Sequence, residues 1–117
     1  ELFNLAVTDI GKLAMALVDA ATLVVGTPTV LAGPHPYAAY SAFLANALRP
    51  KTKFISIIGS YGWGGKTVET LAGMIPNLKV EVLEPVLCKG VPSEKDLKAL
   101  DDLAAAIAEK HKEHNFI

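Results

Sequence analysis

A glycine-rich loop near the middle of the chain carries the residues best suited to chemistry. The loop Gly59–Gly65 reads G-S-Y-G-W-G-G and directly follows the apolar run Lys53–Ile58. Glycine lets the backbone approach a ligand closely, and Tyr61 and Trp63 offer rigid apolar faces for stacking or shielding. Ligands in open α/β sheets lie at the carboxyl ends of strands, which is where this loop is expected. The pattern therefore indicates a site for a flat ligand.

A second loop of similar character follows another buried run. The apolar segment Thr22–Gly26 continues into Thr27-Pro28-Thr29. Two neighbouring strand ends thus each deliver small, hydroxylated and glycine residues, whose backbone N–H groups can bind the polar edge of a heterocycle. The alternative is that Thr27–Thr29 is only a turn and that the glycines serve helix–strand packing. We favour the ligand site, because Trp63 in a simple turn would be a costly exposed aromatic.

The segment Gly64–Thr67 resembles the end of the phosphate-binding motif G-x-x-x-x-G-K-[ST]. The first glycine position of that motif is occupied by Ser60, and Gly59 lies one residue too early. Backbone amides must converge on phosphate at a fixed spacing, so the offset disfavours the motif. A nucleotide hydrolase that uses Lys66 remains a less favoured alternative. The dinucleotide pattern G-x-G-x-x-G fails, because Thr67 stands at its third glycine.

The histidines and the single cysteine give weaker signals. His35 lies in a proline-rich loop that is expected to face the same sheet end as the glycine loop. His111 and His114 are spaced for a metal pair, although a solvated helix end favoured by the helix dipole is the better interpretation. Cys88 is interpreted as a packed or idle thiol rather than a redox group, and a lone cysteine suits the reducing cytoplasm.

Composition limits the classes of protein that fit. The 117 residues are 51% hydrophobic and 20% charged, which predicts one globular domain over residues 1–117. A net charge of −1 without a basic block disfavours nucleic acid and anionic membranes as partners. The apolar runs are too short to span a bilayer, and no signal peptide is visible. We therefore expect a cytoplasmic location.

The elements that must position these loops alternate along the chain. Strands are predicted at Leu2–Val7, Thr22–Gly26, Lys53–Gly59 and Lys79–Leu83. Helices are predicted after a cap at Thr8 or Asp9, over Pro36–Leu48, around Val68–Ile75 and after a Ser93 cap with Asp96 at the third helical position. Thr27–Pro36 is predicted as a loop. The order predicts an α/β fold, a three-layer αβα sandwich around a parallel sheet.

The two loops resemble the flavin-contacting loops of the flavodoxin-like domain in A-type flavoproteins, also called flavodiiron proteins. In that family the first loop reads close to G-S-P-T-Y-N and the second close to G-S-Y-G-W-[SG]-G. This chain has G-T-P-T-V-L over 26–31 and a full match over 59–65. The resemblance covers nearly the whole chain, including LFNL…TDIGKL at the start and Lys89–Pro92 before the last helix.

The resemblance implies a flavodoxin-like fold that binds FMN for electron transfer. By the same resemblance, the isoalloxazine ring would be lined by Thr27, Pro28, Thr29, Val30, Ser60, Tyr61, Gly62, Trp63 and Gly64. Val30 and Leu31 replace a tyrosine and an asparagine of the family, which predicts weaker binding or a shifted potential. Family members join this domain to a di-iron β-lactamase-like domain that reduces oxygen or nitric oxide. The implied partners are FMN and either a redox protein or that di-iron domain, and the chain alone is not expected to be catalytic.

The family domain begins with a strand, a loop around the FMN phosphate and a helix, whereas this chain begins at the match to the second strand. We therefore expect the first strand and helix to be missing and FMN binding to be impaired. In the flavodoxin-like strand order 2-1-3-4-5, this would leave Thr22–Gly26 with an unpaired edge. Either Leu2–Val7 moves into the vacant place, or two copies join as a homodimer. A cofactor-free interaction module of the same fold is the alternative.

Overall fold

The computed structural model describes residues 1–48, 50–62 and 66–116. The elements in chain order are α1 (Ile10–Val18), β1 (Thr22–Val30), β2 (Gly33–Pro34), α2 (Pro36–Leu48), β3 (Phe54–Tyr61), α3 (Thr67–Gly73), β4 (Glu81–Val82), β5 (Val86–Lys89) and α4 (Glu94–Glu113). The predicted alternation of helices with strands is confirmed from α1 onward. None of the helices in the described ranges is long and apolar enough to cross a membrane.

The sheet is organised around β3. β1 lies parallel to it along one side, from the pair Thr22↔Phe54 to the pair Pro28↔Ser60. On the other side, β4 pairs with the beginning of β3 and β5 pairs with its end, both in parallel. The short β2 adds only to the far end of β1, in antiparallel orientation. The carboxyl ends of β1, β3 and β5 therefore meet at one edge of the sheet.

Helices cover both faces of β3, which confirms the three-layer arrangement. Successive strand residues point to opposite faces. Ile55 and Ile57 pack with buried residues of α2 and the α3 region, and α1 joins the same layer through two buried leucines. Phe54, on the opposite face, packs with Leu103 of α4. The core is thus divided by the sheet into two apolar layers.

Local capping fixes where two helices begin, as the sequence predicts. Asp9 accepts a hydrogen bond from the Gly11 backbone N–H (3.1 Å) and caps α1. Ser93 caps α4 in a capping box: its backbone N–H and hydroxyl both donate to the Asp96 carboxylate at 2.9 Å. These hydrogen bonds, the one from the backbone first, hold the pKa of Asp96 below its ordinary value.

The carboxyl end of α4 is anchored to the sheet, so the expectation of a solvated histidine pair is wrong for His111. Its Nε2 lies 2.6 Å from the Thr22 hydroxyl oxygen at the beginning of β1. The His114 ring meets the Phe54 ring edge-on at 5.1 Å between centroids. The two histidines therefore tie α4 to the amino ends of β1 and β3, at the opposite end of the strands from the glycine loop.

The predicted strand at Leu2–Val7 is wrong. The Asn4 carbonyl accepts hydrogen bonds from Val7 (3.1 Å) and Thr8 (2.9 Å), and the Asn4 side chain accepts one from Ala6 (3.0 Å). Such local hydrogen bonds compete with a strand ladder and produce a turn. The segment does not move beside β1. Among the described residues, no strand pairs with the outer edge of β1 between Thr22 and Pro28.

The predicted loop at Thr27–Pro36 is also corrected. β1 continues to Val30 and returns through β2, with Val30 opposite Gly33. The two residues between them, Leu31 and Ala32, have φ values of 50° and 64°. This matches a type I′ hairpin turn, which normally selects Asn-Gly. The hairpin therefore holds two residues that are poorly suited to its geometry.

The strand predicted at Lys79–Leu83 is present only at Glu81–Val82, and β5 was not predicted. The two short strands share one side of β3 and are separated by residues 83–85. Ser56, which is completely buried, donates to the Glu84 carbonyl oxygen at 3.3 Å within this interruption. Pro85 has no backbone N–H to continue a ladder. The edge strand is therefore broken in two.

Replacing the hairpin residues with the preferred pair should stabilise the fold. The Leu31 side chain is 99% exposed, so its removal costs no packing, whereas L-residues lose about 1–2 kcal/mol in the left-handed region. We expect Leu31→Asn combined with Ala32→Gly to raise the free energy of unfolding by about 1 kcal/mol, measured by urea denaturation. Val91→Asn, which removes another exposed apolar side chain without positive φ, should have no effect. An unchanged midpoint in the double variant would contradict the assigned turn.

Candidate functional site

The structure brings the two predicted loops together at one edge. Thr27 lies opposite Gly59, and Pro28 lies opposite Ser60, where β1 and β3 end. Tyr61, the last residue of β3, pairs on its other side with Lys89 of β5. Parallel strands deliver their following loops to the same side of a sheet. Of the residues singled out from the sequence, Thr27, Pro28, Ser60 and Tyr61 therefore lie side by side at one edge of the sheet.

Gly59 is required by the close approach of β1 to β3. A Cβ atom at this position would overlap the Thr27 carbonyl oxygen and would also contact the Leu87 side chain at 3.5 Å. Overlap with backbone cannot be relieved by a rotamer change. Gly59 therefore positions the two loops. From the sequence alone, this glycine was expected only to let the backbone approach a ligand closely.

The Thr27 side chain is used by the fold rather than presented to a ligand. Thr27 is buried, its hydroxyl donates to the Pro28 carbonyl (2.8 Å), and the same oxygen accepts from the His35 backbone N–H (2.9 Å). His35 in turn caps α2, because its Nδ1 accepts from the Tyr37 backbone N–H at 3.0 Å. The two side chains therefore hold the loop after β1 and the start of α2 in place.

Two contacts tie the β1–β2 hairpin to the start of α3. The hydroxyl oxygens of Thr29 and Thr67 lie 3.0 Å apart, and the Lys66 backbone N–H donates to the Ala32 carbonyl oxygen at 3.0 Å. These contacts fix the distance between the loops that follow β1 and β3. Thr67 is buried and its hydroxyl is engaged. That disfavours the nucleotide hydrolase, whose threonine must be free to bind Mg²⁺.

The remaining predicted residues offer an uncharged surface with hydrogen-bonding groups. Pro28, Val30 and Gly62 are exposed, and Ser60 and Tyr61 are half-buried. Apart from its chain neighbours, no described atom lies within 4 Å of the place where a Cβ of Gly62 would stand. A backbone that the described residues leave uncovered, beside hydroxyl and apolar side chains, fits the ring of a flat heterocycle. The predicted site residues Trp63 and Gly64 lie outside the described residues.

β5 contributes a border of the site that sequence reasoning missed. The Gly90 backbone N–H donates to the Tyr61 carbonyl oxygen at 2.9 Å, and Gly90 has a φ of 70°. Cys88 is buried, as predicted, with its Sγ 3.5 Å from the Gly90 carbonyl oxygen. The apolar triplet Val86–Cys88 was the available signal. In the ranges that the structure describes, no three His, Cys, Asp or Glu side chains are grouped to hold a metal ion.

No protein-family model matches this chain, but three curated proteins are similar to it, of which two are at least 30% identical. Rubredoxin-oxygen oxidoreductase of Megalodesulfovibrio gigas is 34% identical over 91 residues, which are 77% of this chain and 23% of that protein. Nitric oxide reductase of Moorella thermoacetica is 32% identical over 110 residues, which are 92% of this chain and 28% of that protein. The chain therefore spans about a quarter of the length of these relatives.

Solved structures share the fold. The flavodiiron core of Flv1 from Synechocystis superposes with a TM-score of 0.84 at 18% identity, over 96% of this chain and 28% of that one. A flavodoxin from the domain Archaea superposes with a TM-score of 0.71 at 27% identity, over 92% of this chain and 74% of that one. The flavodoxin-like fold predicted from the two loops is thereby confirmed.

The role assigned to Gly59 can be tested by adding one methyl group. Gly59→Ala should force β1 and β3 apart at the site, and we expect it to lower the free energy of unfolding by about 3 kcal/mol, the upper range for overpacking a core. Gly73→Ala is the matched control, because no described atom lies within 4 Å of its Cβ position. Chemical denaturation of both variants gives the comparison. Equal stability of Gly59→Ala and the parent chain would show that the strands do not approach this closely.

Proposed function

We propose that this chain, which belongs to the A-type flavoproteins as their flavodoxin-like domain, holds FMN at the carboxyl edge of β1 and β3 for electron transfer. The observation that carries the proposal is the pairing of Thr27-Pro28 with Gly59-Ser60 at that edge. The two curated proteins that are at least 30% identical are named as oxygen and nitric oxide reductases. We propose reduction of one of these gases as the activity of the whole protein to which such a domain contributes.

The chain's own residues would hold and shield the ring. The Gly62 backbone and the Ser60 hydroxyl would bind its polar rim, because the backbone groups of Ser60 and Tyr61 belong to the strand pairing, and the side chains of Val30 and Tyr61 would exclude water from its faces. Trp63 and Gly64 are proposed contacts on the strength of the sequence motif. The 3.0 Å contact between the Thr29 and Thr67 hydroxyls would keep the two loops at a fixed separation. Bound flavin supplies the electron-transfer chemistry, and the surrounding groups tune it.

We propose that electrons pass from the flavin to a di-iron domain or to a separate redox protein, which are the partners that the family resemblance implies. We also propose a cytoplasmic location, in keeping with the free, buried thiol of Cys88. Nucleic acid and membrane partners are not part of the proposal, since the chain carries a net charge of −1.

A cofactor-free interaction module is the second candidate. Two observations favour it: the Thr27 hydroxyl is already engaged by the fold, and Val30-Leu31 places apolar side chains where the family has a tyrosine and an asparagine. The two candidates differ in one property that can be measured directly, which is the binding of flavin.

Titration with FMN and riboflavin separates the candidates. We expect both to bind with micromolar dissociation constants and to quench the emission of the chain's single tryptophan, Trp63, because the flavin ring would lie beside it. Gly62→Val should weaken binding at least about tenfold by filling the open backbone position, a loss of about 1.4 kcal/mol. Gly73→Val makes the same change where no described atom lies near, and it should bind normally.

Each outcome has a distinct meaning. Equal affinities would show that the ring is recognised alone. Tighter binding of FMN that is lost in Lys66→Ala would assign the phosphate to Lys66. A folded chain that binds neither flavin is the interaction module, and the electron-transfer proposal then fails. Magnesium-dependent ATP binding that Lys66→Ala abolishes would instead support the hydrolase.

We further propose that the open edge of β1 pairs with the same edge of a second copy. Backbone groups on this edge have no partner strand between Thr22 and Pro28 among the described residues, and Val24 is 45% exposed beside them. Unpaired edges of this kind are templates for another strand. The pairing would be isologous, with β1 antiparallel to its copy.

A lysine placed on the edge should disrupt this pairing. We expect Val24→Lys to weaken self-association at least about tenfold, which corresponds to about 1.4 kcal/mol, because a charged lysine on an edge strand opposes the addition of another strand. Val82→Lys is the control on the opposite edge of the sheet, where Val82 is 47% exposed. Sedimentation velocity over a concentration series measures both. An effect of Val82→Lys alone would assign the contact to the wrong edge and refute this proposal.

A further inference from the structure

The helix α2 has its small residues inside and its large residues outside. Its 13 residues include no charged side chain, and its buried positions are all alanine: Ala38, Ala42 and Ala45. Tyr37 and Tyr40 are each 53% exposed, and Phe43 is 61% exposed. A helix that is apolar on every side is typical of a buried element. The outer side of α2 is therefore built as a contact surface.

A groove lies beside these aromatic residues. It has a volume of about 400 Å³ and runs between the amino-terminal segment, α1 and α2, with Leu5, Ile10, Tyr37 and Tyr40 among its walls. Phe43 stands next to it, since its ring centroid lies 6.5 Å from that of Tyr40. One face of the molecule thus carries both a protruding ring and an apolar groove.

We propose that this face binds a second copy of the chain about a two-fold axis that crosses α2 near Tyr40. In an antiparallel pair of α2 helices with that axis, Phe43 lies opposite the partner's Tyr37, which is a wall of the partner's groove. The same contact is made twice, as an isologous interface requires. Phe43 of each copy fills the groove of the other.

The absence of charge favours a second copy over a charged partner. α2 carries no acidic or basic side chain, so two copies meet without like-charge repulsion. The same surface offers nothing to attract or orient an acidic or basic protein. Aromatic residues are enriched and charged residues are depleted in the centres of protein interfaces. The two tyrosine hydroxyls remain able to hydrogen-bond at the rim.

The exposed area matches a reversible dimer. The three aromatic side chains are about half exposed and contribute about 100 Å² each. The exposed parts of Ile10 and Leu48 bring the surface to about 500 Å² per copy, within the range of patches that are often functional. A total of about 1,000 Å² lies at the low end for specific interfaces, so a micromolar dissociation constant is expected.

This contact is independent of the flavin site and of the β1 edge. The groove walls lie on the amino-terminal segment, α1 and α2, whereas the flavin proposal rests on the ends of β1 and β3. Both association surfaces can be used at once, in which case the chain forms assemblies larger than a dimer. The proposal of flavin binding and the proposal of self-association can therefore be tested separately, and one can fail without the other.

Charge placed on the protruding ring is the direct test. We expect Phe43→Glu to raise the dissociation constant at least tenfold in sedimentation equilibrium, with flavin binding unchanged. Leu97→Glu is the matched control, because Leu97 is 52% exposed on α4, across the sheet from α2. As a second readout, Tyr40→Cys lies near the axis and should join two copies through a short bis-maleimide, whereas Leu97→Cys should not.

Two results would overturn the proposal. One is a chain that stays monomeric at every concentration and gives no cross-link through Tyr40→Cys. The other is association that Phe43→Glu leaves unchanged, which removes α2 from the contact; sensitivity to Val24→Lys would then assign that association to the β1 edge. Association weakened by Phe43→Glu together with cross-linking at position 40 supports the α2 face.

Discussion

The parallel pairing of β1 with β3 is the interaction on which the rest of this structure depends. Seven residue pairs join the two strands, and the absence of a side chain at Gly59 lets their ends come together. Both core layers rest on β3, with Ile55 and Ile57 on one face and Phe54 on the other. The candidate site lies at the carboxyl ends of these two paired strands. Stability and site geometry are therefore set by one set of backbone contacts.

Sequence reasoning succeeded where the signal is local. Pro36 suits the first turn of a helix, and the bounds predicted for α2 are those observed. Ser93 and Asp96 form the predicted capping box. Leu2–Val7 failed because a strand needs a neighbour, and without one the Asn4 side chain and carbonyl form a turn instead. The strand β5, with four residues, is too short to show a period, and Leu31-Ala32 gives no turn signal.

The candidate site could be predicted only in part, because residue types do not reveal which atoms the fold already uses. The two loops were placed correctly at one edge, since strand order and direction follow from the alternation of elements. Judged from the sequence alone, three groups were free to act in chemistry: the hydroxyls of Thr27 and Thr67 and the ring of His35. In the structure each is committed to a hydrogen bond. The prediction that the ligand is a flavin came from the family resemblance and not from the pattern of residues in the two loops.

The interruption between β4 and β5 makes the two edges of the sheet unequal. One edge consists of strands of two and four residues with Pro85 between them, and short, broken edges resist further strand addition. Within residues 1–48, 50–62 and 66–116, only β1 presents a long, regular edge. When a second copy adds its strand at that edge, the described part of the chain has no other long edge to offer, and the joined sheet ends on both sides at a broken edge. The broken edge therefore keeps strand addition from propagating, so the sheet itself grows no further than two copies, and any larger assembly has to use contacts other than strand pairing.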